Sequence, residues 1–365
     1  MKTICLVENL RIAVWGVEKA SGKNLTLPIL STLLFIVSGK EIKIRATNLS
    51  LGIEAIIPTN TEKEGVFAIP AGIISAFMGT LRDNEKITIE LVGGTAIFTT
   101  KNTKTSIKTI PYEDFPNIPK TEGVDFSIQN KTLIDGIKSV FYSSAISDIK
   151  PEISSVYLYQ NEDNLVFVST DSFRLAEKTI RVKNIYNFEP IIIPFKNIIE
   201  IIKILDISQG DINITCSKNQ IIIKTGIFSI TSRIIDGTYP DYKQIIPTSS
   251  TTEGIFLKQD VINTIKANSI FADKFNQITL TIDPKNKQCF FLAQNPDRGE
   301  NKILVEGALS GEKVEININQ KYLADCLQSI QTDSISISCN GVQKPIVVKG
   351  IGDKAFCYLI MPMNR

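Results

Sequence analysis

One pattern of residues runs along this chain three times, at intervals of about 125 residues, and any fold must accommodate all three copies alike. Each copy opens with an amphipathic helix: ENLRIAVWGVEKA at 8–20, NKTLIDGIKSVFYSSA at 130–145 and KQDVINTIKANSIFA at 258–272. In the second of these, Leu133, Ile134, Ile137, Val140 and Phe141 fall at helical spacing. A β-run ending in a polar turn follows: KIRATNLSLGIEA, LVFVSTDSFRLAE and CFFLAQNPDRGENKILVE, with Asn48, Thr170 and Asn295 set against one another in the turn. Next, a strand runs into a second helix, and Pro70, Pro194 and Asn319 stand where that helix would begin. A closing strand with a Pro-rich exit ends each copy: IKTIPYEDFPNIP, ITSRIIDGTYPDYKQIIP and the final YLIMPMNR.

The expected fold is therefore α+β, with three repeated domains at 1–120, 121–248 and 249–365. Each holds two helices and roughly eight strands. KITIELVGGTAIFTT, two alternating runs joined by Gly93-Gly94, argues for antiparallel hairpins. Polar, turn-rich IPKTEG (118–123) and IPTSSTTEG (246–254) are the linkers. A triplication can simply build a larger scaffold. Three like domains on short linkers also trace an arc, and an arc closes into a ring when a symmetric partner supplies the rest.

Composition removes several function classes. Forty Lys and Arg against 38 Asp and Glu leave +2, far from the excess of a tight nucleic-acid binder. The absence of histidine removes imidazole-based catalysis, His-ligated metals and imidazole pH switching. Six cysteines at 5, 216, 289, 326, 339 and 357 form no CxxC and read as reduced core residues of a cytoplasmic protein that needs no cofactor. The apolar run in MKTICLVENL is too short for a signal peptide, and NIIEIIKIL is broken by Glu200 and Lys203, so no membrane partner is expected. No phosphate loop, dinucleotide fingerprint, metalloprotease helix or nucleophile elbow appears, so no enzyme is expected.

With the repeat in hand, TLPILSTLLF (26–35), YEDFPNIP (112–119), STDSFRLAE (169–177), IDGTYPDYKQIIP (235–247) and YLIMPMNR together resemble the bacterial sliding clamps, the beta subunits of DNA polymerase III. The resemblance spans the whole chain, in the family's order. It implies two chains closed head to tail into a homodimeric ring of six domains, helices lining the hole and sheets outside, with duplex DNA threaded through without regard to sequence. It implies a processivity factor that tethers the DNA polymerase III catalytic subunit, and other DNA polymerases and repair proteins carrying short linear motifs. A separate clamp loader would close the ring. A non-replicative ring or arc-shaped protein-binding scaffold of the same fold is the alternative. Near-zero charge suits a ring held by topology, because each phosphate ion pair adds salt-dependent hold.

The resemblance also assigns residues. Thr170, Arg174 and Leu175 would form one wall of a partner-peptide pocket, and Pro240 and Ile245 another. Leu359, Met361 and Met363 would supply floor and lip, with Lys150, Ile153, Asn319 and Tyr322 bordering the rest. Apolar and Met side chains suit a Leu or Phe anchor from many partners. Lys23, Lys196 and Lys104 would touch DNA. Ile270 and Phe271 would meet Ile107 of another copy across the ring interface. The turn carries Ser172 where the family often has Gly, and Lys150 stands where Arg is common.

Overall fold

The computed structural model describes residues 1–22, 27–119, 123–147, 149–182 and 188–363. Among them are six α-helices: α1 (Val7–Glu18), α2 (Ala71–Thr80), α3 (Asn130–Val140), α4 (Phe195–Ile207), α5 (Lys258–Asn268) and α6 (Gln320–Leu327). They fall two to a repeat, where the helical periodicity puts them. The expected first helices extended further: α3 and α5 stop early and end in 3₁₀ turns at Phe141–Ser143 and Ser269–Phe271. The helices fold onto themselves by the same device in every repeat. The first helical N–H of α1, α3 and α5 donates to a carbonyl just beyond the second helix: Val7 to Glu85, Asn130 to Gly210 and Lys258 to Asp333. An otherwise orphaned donor at a helix start is thereby satisfied.

The chain divides into two compact units, 1–134 with 186–188 and 196–234, and 135–185 with 189–195 and 235–365. The first unit contains a five-stranded antiparallel sheet in the order Asn60–Lys63, Lys2–Leu6, Lys86–Val92, Thr95–Thr99, Lys104–Lys108. The Gly93-Gly94 turn is as expected: Val92 pairs with Thr95, and both glycines have positive φ. Its second sheet has eight strands. In it Phe228–Arg233, the last strand of the second repeat, lies antiparallel to Leu51–Pro58 of the first, with Ile230 opposite Ile53. Gly16 on α1 permits this packing, since a Cβ there would stand 2.3 Å from the Phe228 ring.

The second unit repeats the arrangement. In its nine-stranded sheet Phe356–Ile360, the last strand of the third repeat, lies antiparallel to Arg174–Arg181 of the second, with Leu175 opposite Leu359. Its four-stranded sheet ends on Gly299–Leu304. The closing strand of one repeat thus completes the sheet of the repeat before it, twice. In that pattern two edge strands remain without such a partner: Lys104–Lys108, which closes the first repeat, and Gly299–Leu304, the third-repeat strand after the polar turn.

Candidate partner-binding site

The turn after Asn164–Thr170 is built by two side chains. Thr170 Oγ1 donates to Arg174 O at 2.7 Å and accepts from Ser172 N at 3.1 Å. Asp171 Oδ1 accepts from Phe173 N and Arg174 N, both at 2.9 Å. Ser172 takes the left-handed conformation, φ 75°, so the turn keeps its geometry without glycine. The first repeat contains the same turn. Thr47 Oγ1 donates to Leu51 O and accepts from Leu49 N, Asn48 Oδ1 accepts from Ser50 N and Leu51 N, and Leu49 has φ 75°. The structural match is therefore Thr47 with Thr170 and Asn48 with Asp171. Setting Asn48 against Thr170 is one residue out of register, because Thr and Asx both signal a turn and only the hydrogen bonds separate their roles.

The turn itself is scaffold. What distinguishes the second copy is what it carries. Where the first has Leu51, the second has Arg174, whose Nε donates to Asp171 Oδ2 at 2.9 Å and whose Nη1 donates to Asp325 Oδ2 at 2.6 Å. Its guanidinium carbon lies 4.4 Å from the centroid of the Tyr322 ring. Burial opposes the charge, but Tyr358, Asp325 and Asp171 outweigh it and hold the arginine above its ordinary pKa. Tyr322 and Asp325 lie three apart on α6, hence on one face. Asn319 caps α6 by accepting from Lys321 N at 2.9 Å and donates to Phe275 O at 3.3 Å. The C-terminal segment runs along the same region: Met361 N donates to Phe173 O, and Met363 N to Asn317 O, both at 2.8 Å.

The other assigned residues fall in two layers. Leu175 and Leu359 are each only 1% exposed, in a cluster with Tyr239 and Tyr242. They support the site from beneath and do not form its surface. Tyr239 stacks on Tyr157 at 4.6 Å, Tyr242 meets Tyr239 edge-on, and the Tyr242 hydroxyl donates to Glu177 and bonds to Tyr159. Burial, then the bonds to Glu177 and Tyr159, keep Tyr242 protonated well above its usual range. Pro240 and Ile245 are exposed beside these rings, and Thr170 is buried. Lys150 is exposed, its carbonyl accepting from Ile153 N, and Ile153, Met361, Met363, Asn319 and Tyr322 are half-buried. Three neighbours escaped the sequence reading: Asp325, the 62% exposed Phe173 and the 57% exposed Phe275. The spacing of Asp325 from Tyr322 on an amphipathic helix was the available signal.

The remaining assignments separate. Lys23 lies outside the described residues. Lys196 is exposed at the start of α4, and Lys104 is exposed at the open edge of the five-stranded sheet. Ile270 is 63% exposed and Phe271 half-buried. Ile107, assigned to the ring interface, is buried within its own chain. It is 4% exposed because strand alternation turns it into the sheet's own core, opposite Ala96. Several helix cations are engaged within their repeats: Arg11 donates to Met78 O and Leu81 O and pairs with Asp83, Lys203 pairs with Glu200, and Lys258 donates to Ile330 O.

Family models described as the N-terminal, central and C-terminal domains of the DNA polymerase III beta subunit match residues 1–119, 127–241 and 243–364. The beta sliding clamp of Proteus mirabilis is 26% identical over 369 residues, covering 100% of both chains. The crystal structure of the DNA polymerase III beta subunit from Pseudomonas aeruginosa superposes with a TM-score of 0.94 at 24% identity, over 100% of each chain. So does a sliding clamp from the same organism bound to griselimycin, at 24% identity, TM-score 0.94 and 100% coverage of each. With all three family domains matched in order along its length, the chain belongs to the DNA polymerase III beta subunit family, the bacterial sliding clamps.

Proposed function

We propose that two copies of this sliding clamp close head to tail around duplex DNA and tether the replicative polymerase and other DNA enzymes through the Arg174–Tyr322 site. The observation that carries the ring is the strand pattern. Twice within the chain a repeat's closing strand completes the sheet of the preceding repeat, and the same pairing applied once more joins Lys104–Lys108 of one copy to Gly299–Leu304 of another. Applied in both directions, the pairing closes after two chains and covers both of these edges, which is how sheet proteins dispose of such edges. Ile270 and Phe271 lie in the same third-repeat region and would add apolar contact. Domain limits at 1–120, 121–248 and 249–365 fit this scheme.

The helices would face the DNA, with Lys196 toward phosphates and Lys104 at the rim, and a clamp loader would open the ring. The protein would act in the cytoplasm as a tether that makes and breaks no bond. It exposes Phe173, Ile245 and Phe275 and holds Arg174 fixed, features suited to a short peptide with apolar anchors. Light scattering on the eluting protein tests the ring, with twice the 40.5 kDa chain mass expected. Polarisation of a fluorescent Gln-Leu-Ser-Leu-Phe peptide tests the pocket. A monomer at micromolar concentration would overturn the first, and absence of saturable binding the second.

A further inference from the structure

Arg174 sits on the second repeat, yet the carboxylate and the ring that fix its outer end, Asp325 and Tyr322, belong to α6 of the third. Its Nη1 donates to Asp325 at 2.6 Å, and its plane lies 4.4 Å from the Tyr322 ring. Its inner end is bound by Asp171 at 2.9 Å. The side chains of Arg174, Asp171 and Asp325 are 10%, 14% and 24% exposed, so two carboxylates grip one guanidinium with little water to screen them. An arginine held at both ends and stacked on a ring is a rigid surface, with its rotamer entropy already spent in folding.

We infer that Asp325 is a positioning residue for partner binding: it locks Arg174 flat against Tyr322, and the locked arginine is the wall that an incoming peptide meets. The inference rests on the peptide-binding reading above. It makes Arg174 a preformed plane in that wall. The pocket is complete only when the second and third repeats are packed together, since neither repeat alone owns both Arg174 and Asp325. The first repeat supplies the contrast. Its identical turn bears Leu51, and the neighbouring α4 residue, Asn197, bonds to Ser50 O and Ser50 Oγ, so no charged plane is built there.

The test uses the full-length protein and the same fluorescent pentapeptide. Asp325→Asn is expected to weaken binding roughly tenfold, since it removes a charged acceptor from a buried guanidinium. Asp325→Glu is expected to recover most of that loss. In an Arg174→Gln background, Asp325→Asn is expected to have no further effect, because a positioning residue acts only through the residue it positions. An additive loss would mean that Asp325 touches the peptide itself, and unchanged affinity would remove its role; either overturns the inference. A readout independent of peptide keeps the two readings apart. The Arg174 Nη1–H protons, which donate to Asp325, should exchange slowly with solvent in the parent and quickly in Asp325→Asn, with thermal unfolding confirming that both are folded. Slow exchange without peptide binding would sink the pocket and spare the lock. Equal exchange in both proteins would sink the lock.

Discussion

The guanidinium of Arg174 lies 4.4 Å from the centroid of the Tyr322 ring while Asp171 and Asp325 hold its two ends. Such an arrangement depends on a planar group with several donors, which lysine lacks. Arg174→Lys should therefore weaken pentapeptide binding nearly as much as Arg174→Ala, by about 2 kcal/mol in each case. Fluorescence polarisation checks this, and a fully active lysine variant would refute it.

Ser172 and Leu49 occupy equivalent places in their turns, both at φ 75°, where a side chain costs free energy and glycine does not. Ser172→Gly should raise the stability of the folded chain by roughly 0.5–1 kcal/mol, the relief being partly offset by the greater freedom of glycine when unfolded. Chemical denaturation measures this directly.

Ring closure through the Lys104–Lys108 edge can be tested with one proline. Thr109 N donates to Gly94 O, so odd-numbered residues of this strand bond inward and the Ser106 N–H points to the open edge. Ser106→Pro removes only that outward donor. The monomer should remain folded while the dimer dissociates at protein concentrations at least tenfold higher than in the parent, about 1.4 kcal/mol of interface free energy. Sedimentation across a dilution series reads the shift.

Gly16 and Gly72 both lie in first-repeat helices but face different surroundings. A Cβ on Gly16 would stand 2.3 Å from the buried Phe228 ring, whereas nothing lies within 4 Å of one on Gly72. Gly16→Ala should cost about 2 kcal/mol by overpacking. Gly72→Ala should gain about 0.5–1 kcal/mol from helix propensity. The opposite signs, read from paired melting curves, separate packing from propensity.

Stability should be nearly flat from pH 6 to 8.5, because the chain has no histidine. It should fall at higher pH. Burial pushes the Cys5, Cys216 and Cys289 thiols up to about 12, from an ordinary 9.0. A group with a raised folded pKa stabilises fully below its unfolded value and loses that contribution as pH climbs toward the folded one. The window is therefore about pH 9 to 12, and urea midpoints measured at intervals across it should decline steadily.

Much of this protein was legible in its residues. Periodicity located all six helices, Pro70 and Asn319 marked two helix starts, and Gly93-Gly94 fixed a hairpin, since these are local preferences written within a few neighbouring residues. The threefold repeat could be seen because each copy solves the same packing problem with similar side chains. The resemblance of a few short segments to the sliding clamps carried the family, and the peptide site proposed above rests on the same segments. Only the tertiary structure decided which of those residues form a surface. Leu175 and Leu359 read as pocket wall and floor, but sheet pairing across two repeats turns them inward beneath tyrosines, and alternation does the same to Ile107. Only its three-residue spacing from Tyr322 marked Asp325, since an acidic residue on an amphipathic helix is ordinary until an arginine some 150 positions earlier is folded against it. The open edges were likewise invisible. A strand's own residues fix its alternation and twist, but whether its outer hydrogen bonds are met depends on which strand the chain lays beside it.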